Sequence, residues 1–300
     1  MIKPIHALWK FSRPHTIIGT HLQMLTSYVL VNGFNLAPNL NITNFTLFWL
    51  SSILMNIYVV GLNQIVDIDV DIINKPDLPL ASNEMSKKTG LLIVAFSGLV
   101  SLGLSYTLGG YFFWTVLGII IIGSLYSLPP VHLKKNPIGA ALGIATARGL
   151  IFNLGTFLFF NTLNGNSMVF PFQVKAFAFF LFGFCLVIAV MKDIPDIVGD
   201  QQHNIKTLAV RLGPQKAFRI SLLMLSTCYT VFIIGGLLQL LPYSNELFSL
   251  IHFIILALIW FLARKIKLEH PKDIYAYYMK LWKFFYFEFI IFIFLFGFHR

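Results

Sequence analysis

The residues best suited to chemistry in this chain are acidic side chains at helical spacing. Asn63, Asp67 and Asp71 follow an apolar run at intervals of four residues, with no proline or glycine before Pro76. A helix that continues through this segment would carry the three side chains on one face, about 6 Å apart along its axis. Like charges at this spacing repel each other unless a cation lies between them. Because carboxylate and amide oxygens suit Mg²⁺, we predict a Mg²⁺ site here.

A second acidic cluster follows much later in the chain. Asp196 and Asp200 repeat the four-residue spacing, and Asp193 precedes them by about one turn. One such pair could simply be a hydrated helix end, but two clusters that share the pattern Asp-Ile-x-x-Asp favour metal binding. We predict that residues 1–300 form one domain with two repeats, helices 1–4 and 5–8, and an added ninth helix. The two clusters would then face each other across a central cavity.

Basic residues near both clusters indicate an anionic ligand. Lys75 follows the first cluster, Lys192 and Lys206 flank the second, and Arg13 lies at the start of the first apolar helix. With two Mg²⁺ ions, these side chains could hold a diphosphate and stabilise it as it leaves. Each of them could instead anchor a helix at the membrane surface.

Two further residues lie within apolar segments. An arginine inside a membrane helix is costly and faces a polar partner or a cavity. Arg148 therefore either contacts a substrate or forms a structural pairing, with Glu288 or with backbone carbonyls at a helix crossing. Tyr126 closes an apolar run just before Pro129-Pro130. It would place a phenol at the cytoplasmic end of the cavity, as a catalytic residue or as an ordinary interfacial tyrosine.

The composition shows what surrounds these residues. Hydrophobic residues make up 57% of the chain and charged residues only 11%, whereas soluble domains contain about 25% charged residues. An all-α integral membrane protein is predicted, with no separate soluble domain. Nine apolar segments are long enough to cross a bilayer: 16–36, 44–62, 91–108, 111–128, 138–160, 169–191, 218–240, 247–263 and 281–298.

The basic residues are distributed unevenly between the two sides of these nine segments. With the N-terminus in the cytoplasm, 19 of the 22 Lys and Arg residues fall on the cytoplasmic side, the exceptions being Arg148, Lys175 and Arg300. This asymmetry is typical of cytoplasmic loops and places both acidic clusters on that side. The net charge of +10 therefore indicates contact with anionic membrane lipid rather than with nucleic acid.

The motifs resemble those of the UbiA superfamily of intramembrane aromatic prenyltransferases. The segment NQIVDIDVDIINKPDLPLAS (63–82) is similar to the homogentisate prenyltransferase signature NQxxDxxxDxxNKPxLPxAS, and KDIPDIVGD (192–200) resembles KDxxDxxGD. The SRPHT segment at 12–16 and the KTLA segment at 206–209 also look typical of the family.

This resemblance implies Mg²⁺-dependent transfer of a phytyl or geranylgeranyl group from a prenyl diphosphate to homogentisate. The acceptor loses its carboxyl group, as in the biosynthesis of tocopherols and prenylquinones. Another phenolic acceptor is the alternative. Homogentisate is small and anionic, so Arg148 could bind its carboxylate. The N-terminus shows no plastid transit segment, which leads us to expect a cyanobacterial membrane.

Two other classes of membrane protein use acidic clusters. A cation transporter would place them near the middle of the membrane on broken helices, whereas here they lie at helix ends. A CDP-alcohol phosphotransferase would show a DGxxAR stretch where this chain has Asp71-Ile72-Ile73-Asn74-Lys75.

Overall fold

A computed structural model describes residues 2–35, 41–240 and 245–297 of the chain. These residues are mostly helical and include no β-strand, which confirms the all-α class. The predicted span ends Leu36 and Phe298, and Arg300, lie outside the described residues. In chain order the helices are α1 (Ile2–Phe11), α2 (Pro14–Asn32), α3 (Ile42–Val66), α4 (Ile68–Asn74), α5 (Lys87–Leu108), α6 (Gly110–Ser127), a 3₁₀ turn (Leu133–Lys135), α7 (Pro137–Ile144), a π-helical segment (Ala145–Ile151), α8 (Phe152–Leu163), α9 (Phe172–Asp193), α10 (Ile197–Gln202), α11 (Leu208–Leu212), α12 (Pro214–Leu237), α13 (Asn245–Ala263) and α14 (Pro271–Gly297).

Prolines, glycines and polar caps set the helix ends. Pro14, Pro137 and Pro214 each stand in the first turn of a helix, where their missing N–H groups leave no bond unmade. Between α5 and α6 the chain turns at Gly109 and Gly110, with φ angles of 67° and 54°. Residues with a side chain rarely adopt these angles, which explains why two glycines stand between two adjacent membrane helices.

α9 forms the centre of the helix bundle. It packs against the π-helical segment, α12 and α14, and Phe184 and Cys185 on this helix are fully buried. The contact with the π-helical segment is very close, since a Cβ atom on Gly149 would lie 2.5 Å from the Cα atom of Phe182. Because α9 ends at Asp193, this packing fixes the position of the second acidic cluster.

Seven helical segments in the described part of the chain are long and apolar enough to cross a membrane: Ile42–Val66, Lys87–Leu108, Gly110–Ser127, Pro137–Leu163, Phe172–Asp193, Pro214–Leu237 and Glu246–Ala263. They coincide with seven of the nine predicted spans. The other two predicted spans overlap α2 and α14, which carry polar residues such as Gln23 and Glu288 in buried positions. Nine crossings and a cytoplasmic N-terminus stay predictions.

The orientation can be tested by labelling single cysteines in a variant that lacks Cys185 and Cys228. Lys87, Lys206 and Ser167 are exposed positions in three different loops or loop ends. The charge asymmetry predicts that cysteines at 87 and 206 react with an impermeant reagent only from the cytoplasmic side, and one at 167 only from the opposite side. Labelling of positions 87 and 167 from the same side would contradict the nine-span topology.

Candidate active site

A cavity of about 860 Å³ lies among the helices. Of the twelve residues that the sequence analysis selected, eleven line it: Arg13, Asn63, Asp67, Asp71, Lys75, Tyr126, Arg148, Lys192, Asp193, Asp196 and Asp200. Lys206 is the exception, because it is exposed and does not line the cavity. The fold therefore brings two distant acidic clusters, most of the selected basic residues and Arg148 to one space.

The helix that carries the first acidic cluster is broken at Asp67. An uninterrupted helix through Asp71 was expected, and this expectation is wrong: α3 ends at Val66, and Asp67 has φ −100° and ψ 13°. The four-residue spacing survives the break, since the amide of Asp67 donates to the carbonyl of Asn63 at 3.0 Å and that of Asp71 to the carbonyl of Asp67 at 2.7 Å. The Asn63 side-chain amide also donates to the Asp67 carboxylate at 2.7 Å.

The second cluster has the same local structure. α9 ends at Asp193, Pro195 follows, and Asp196 is the N-cap residue of the short helix α10. The amide of Asp200 donates to the carbonyl of Asp196 at 3.1 Å. In both clusters an aspartate therefore begins a short helix, and a second aspartate lies in its first turn.

Asn74, at the end of α4, joins the two clusters and was not selected from the sequence. Its side-chain amide donates to the Asp196 carbonyl at 2.8 Å, and its Oδ1 accepts from the amide of Gly199 at 2.9 Å. A Cβ atom on Gly199 would lie 2.5 Å from that oxygen, so the contact needs a glycine. In the sequence, Asn74 and Gly199 lie inside the segments 63–82 and 192–200 that carry the two acidic clusters, and this position is the signal that could have selected them.

Lysine ammonium groups neutralise the carboxylates. Lys75 forms an ion pair with Asp196 and lies 4.0 Å from an Asp71 oxygen, so that it connects the two clusters. Lys192 pairs with Asp193 at 2.7 Å. The Lys192 ammonium also lies 6.0 Å from the centre of the Tyr126 ring, a distance that permits a cation–π contact.

Lys134 is the functional candidate that sequence reasoning missed. It was counted only as a loop residue, yet its side chain is buried, lines the cavity and forms an ion pair with Asp67. Its 3₁₀ turn follows Pro129-Pro130, where the chain leaves α6 and folds back under the bundle. The sequence does not show this return, because loop residues close to a membrane surface ordinarily remain in water.

The burial of the acidic groups has an electrostatic consequence. Burial raises the pKa of Asp71. Burial, with the neighbouring Asp193 and Asp196 carboxylates, raises the pKa of Asp200 to about 7. A bound cation would oppose these shifts by favouring the ionised forms. In the described ranges no three acidic, histidine or cysteine side chains converge as a closed metal site. The carboxylate oxygens of the two clusters are nevertheless hard ligands of the kind that Mg²⁺ binds together with water and phosphate oxygens.

Arg148 lies deeper in the cavity, on the π-helical segment. Its guanidinium donates to Oδ1 of Asn56 at 3.0 Å and to the Thr16 carbonyl at 3.4 Å, and it lies 5.4 Å from the centre of the Trp282 ring. No carboxylate in the part of the chain that the structure describes forms an ion pair with it. Its charge is therefore available to an anionic ligand in the cavity.

The alternative pairing of Arg148 with Glu288 is not formed. Glu288 accepts a hydrogen bond from the Tyr229 hydroxyl at 2.6 Å, and its other oxygen lies 3.1 Å from Nε2 of His252. All three side chains are fully buried. They connect α12, α13 and α14 to one another, so Glu288 serves this part of the bundle.

The π-helical segment holds Arg148 in place. A π-helix leaves carbonyl groups without their usual helical partners, and such segments are frequent at functional sites. Here the side-chain amides of Gln23 and Asn153 both donate to the Arg148 carbonyl at 2.8 Å, and Asn153 also donates to the Gly149 carbonyl at 2.8 Å. These buried amides fix the backbone from which the guanidinium extends.

Known proteins resemble this chain in sequence and in fold. The homogentisate phytyltransferase of Synechocystis sp. is 40% identical over 293 residues, which cover 96% of this chain and 94% of that protein. The chloroplastic homogentisate phytyltransferase 1 of Arabidopsis thaliana is 34% identical over 292 residues, covering 96% of this chain and 74% of that protein.

The solved structure of a UbiA homolog from Archaeoglobus fulgidus bound to GPP and Mg²⁺ has the same fold. It superposes with a TM-score of 0.66 at 20% sequence identity, covering 96% of this chain and 99% of that chain. The sequence profile of the UbiA prenyltransferase family matches residues 24–284. This integral membrane protein therefore belongs to the UbiA prenyltransferase family.

Proposed function

We propose that this enzyme transfers a prenyl group from a prenyl diphosphate to homogentisate in a Mg²⁺-dependent reaction, with loss of the acceptor carboxyl group. The observation that carries this proposal is the division of one cavity into two charged regions. Two aspartate clusters with lysines form one region, and Arg148 forms the other. A diphosphate with metal ions suits the first, and a small aromatic carboxylate suits the second. The names of the two homogentisate phytyltransferases support the choice of acceptor.

The diphosphate region contains the groups that would hold two Mg²⁺ ions. Asp67, Asp71, Asp196 and Asp200 would provide carboxylate oxygens, assisted by Asn63 and Asp193, all of which line the cavity. Mg²⁺, when bound, supplies positive charge that stabilises the diphosphate as it leaves. Mg²⁺ and GPP in the structure of the archaeal homolog support this assignment.

The lysines of this region form ion pairs with the aspartates and could also bind the diphosphate. Lys75, Lys134 and Lys192 pair with Asp196, Asp67 and Asp193 respectively, so buried and half-buried carboxylates and ammonium groups neutralise one another. A diphosphate would offer the same ammonium groups phosphate oxygens as partners. Arg13 also lines this cavity. Lys206, which is exposed, is better suited to contact with lipid headgroups or water than to diphosphate.

The middle of the cavity must protect an allylic cation from water. Met55, Ile119, Ile122 and Ile188 line it, and these apolar side chains exclude water from the reacting carbon. Aromatic faces stabilise a cation by their quadrupole, a role that suits Tyr126 and Trp282, which both line the cavity. The electron-rich acceptor ring would attack from the side of Arg148.

The repeated local structure also supports a repeat within a single domain, residues 1–300. We place the diphosphate region at the cytoplasmic surface on the basis of the charge asymmetry.

The proposal as a whole is tested by incubating membranes that contain the protein with Mg²⁺, homogentisate and a panel of prenyl diphosphates. A product that has gained the prenyl group and lost CO₂, identified by mass, would support it. If products form only from another phenol, that phenol and not homogentisate is the acceptor.

The two-cluster assignment predicts a large loss of turnover when any of four carboxylates is removed. Alanine at Asp67, Asp71, Asp196 or Asp200 should lower kcat by roughly 100-fold or more, since each change removes charge stabilisation of the leaving group. Asp69→Ala is the matched control, because Asp69 lies in the same segment but is exposed and does not line the cavity. Turnover of purified, folded variants checks this. Near-normal rates in two of the four would contradict the assignment.

Lys134 should contribute to donor binding although it lies in a loop. A charge-assisted hydrogen bond is worth about 1.5–3 kcal/mol, so Lys134→Met should raise the donor KM roughly 10- to 100-fold. The neighbouring Lys135 is exposed, and Lys135→Met should leave the donor KM within about threefold. Steady-state kinetics with varied prenyl diphosphate measure the effect. Equal donor KM values for the two variants would mean that Lys134 has only a structural role beside Asp67.

Arg148 should act on the acceptor and not on the donor. Loss of its bond to the carboxylate in Arg148→Gln should raise the homogentisate KM roughly 10- to 100-fold. The donor KM should change little, and Arg148→Lys should retain part of the affinity because it keeps the charge. Methylhydroquinone, which lacks the carboxylate, provides the comparison and should be much less affected. Weaker binding of donor and acceptor alike would assign Arg148 a structural role.

A further inference from the structure

His15 lies in the cavity wall, and its imidazole has no role in the proposed binding of donor and acceptor. It lies in the first turn of α2, is half-buried and lines the cavity. Its ring makes an edge contact with the Trp282 ring, with centroids 5.0 Å apart. The backbone carbonyl of His15 accepts a hydrogen bond from the Tyr286 hydroxyl at 2.6 Å. The residue is thus held by its neighbours, while neither ring nitrogen has a hydrogen-bond partner among the described residues.

A second histidine on the same helix shows the contrast. Nδ1 of His21 lies 2.9 Å from the Ile17 carbonyl, and its Nε2 accepts from the Trp49 indole at 2.8 Å. Both nitrogens of His21 are therefore occupied, and this residue does not line the cavity. His21 is a structural histidine, whereas His15 presents a free base to the space in which the substrates would meet.

The position of His15 lies between the two charged regions of the cavity. Arg13, two residues earlier, lines the same cavity as Asp71 of the first acidic cluster. Thr16, the next residue, accepts a hydrogen bond from the Arg148 guanidinium at 3.4 Å. Arg148 and His15 also contact the same Trp282 ring. If the diphosphate and the acceptor carboxylate occupy the two regions, the carbon atoms that react lie close to His15.

The proposed reaction removes one proton from the acceptor and adds one to it. When the ring carbon attacks the prenyl carbon, the C–O bond to diphosphate breaks and diphosphate leaves with the electron pair. The attacked ring carbon must then lose its proton to become aromatic again. Loss of CO₂ leaves the electron pair of the broken C–C bond on the side-chain carbon, which must gain a proton to become a methyl group. The acceptor therefore releases one proton and takes up one proton, and the two steps cancel.

We infer that the imidazole of His15 carries the proton between these two steps, accepting it from the prenylated ring carbon and returning it to the methylene carbon after decarboxylation. The inference rests on the proposed function. A neutral imidazole can take up a proton and release it again. The His15 ring lines the cavity, and neither of its nitrogens is occupied by a described residue, so both remain free to exchange a proton with a bound substrate. Because apolar residues surround the reacting carbons, water competes poorly for the same proton.

The test uses His15→Gln in the full-length protein, with geranylgeranyl diphosphate and homogentisate. Positioned acid–base groups contribute roughly 10²- to 10⁴-fold, so kcat should fall by that factor while the homogentisate KM stays within about threefold. With homogentisate deuterated on the ring, the variant should show a primary isotope effect on kcat that exceeds the wild-type value, because proton removal becomes slow. His21→Gln is the matched control and should change neither the isotope effect nor the rate by more than about threefold.

Wild-type enzyme provides a second measurement that needs no variant. A single carrier in a dry cavity should deliver part of the ring deuterium to the methyl group of the product, as measured by mass. Complete loss of the deuterium to water in the wild type, or a His15→Gln variant with unchanged kcat or an unchanged isotope effect, would overturn the inference. Absence of any prenylated product from wild-type enzyme would instead refute the proposed function itself.

Discussion

Burial of charge inside an apolar bundle is the constraint on which this structure depends. A carboxylate removed from water is costly unless a positive group satisfies it. Asp71, Asp193, Asp196 and Asp200 are all buried. Burial raises the pKa of Asp71 and, together with the neighbouring Asp193 and Asp196 carboxylates, that of Asp200. A bound cation would lower this cost by favouring the ionised carboxylates, which is the role that the proposed function gives to Mg²⁺.

The same constraint explains why two long helices, α2 and α14, carry polar or charged groups inside the bundle. α2 presents Thr16, Thr20 and Gln23 to the cavity at helical intervals, and α14 carries Glu288 into a network with Tyr229 and His252. Each polar group is buried against protein and not against lipid. A hydropathy profile averages over all faces of a helix and therefore undervalues those that line a site. Conversely, exposed apolar side chains such as Leu99 and Trp114 lie on the outer surface, where a bilayer would cover them.

Much of the site could be predicted from the sequence because its residues are chemically unusual for their location. Aspartates at four-residue intervals and an arginine within an apolar run are costly in a membrane, so their presence indicates function. Lys134 and Asn74 could not be selected in this way. A lysine or an asparagine in a loop next to a membrane is common, and only the return of the chain after Pro129-Pro130 and the contact between α4 and α10 give these two residues their partners.

The break at Asp67 shows a limit of pattern-based reasoning about helices. The four-residue hydrogen-bond spacing continues through Asp67, so the periodicity of the sequence is intact. Only the backbone angles of this one residue depart from the helix. The break makes Asp67 the N-cap residue of α4 and gives it the same place that Asp196 has before α10.

Helix N-termini carry partial positive charge and favour anionic groups. Each of the two short helices begins with a carboxylate that lines the cavity, in the region where the proposed function places the diphosphate. The break at Asp67 and the proline before Asp196 are two different ways in which the backbone ends a long helix and begins a short one. Under the proposed function, a membrane helix ends and a short helix begins where Mg²⁺ and diphosphate would meet the apolar part of the cavity.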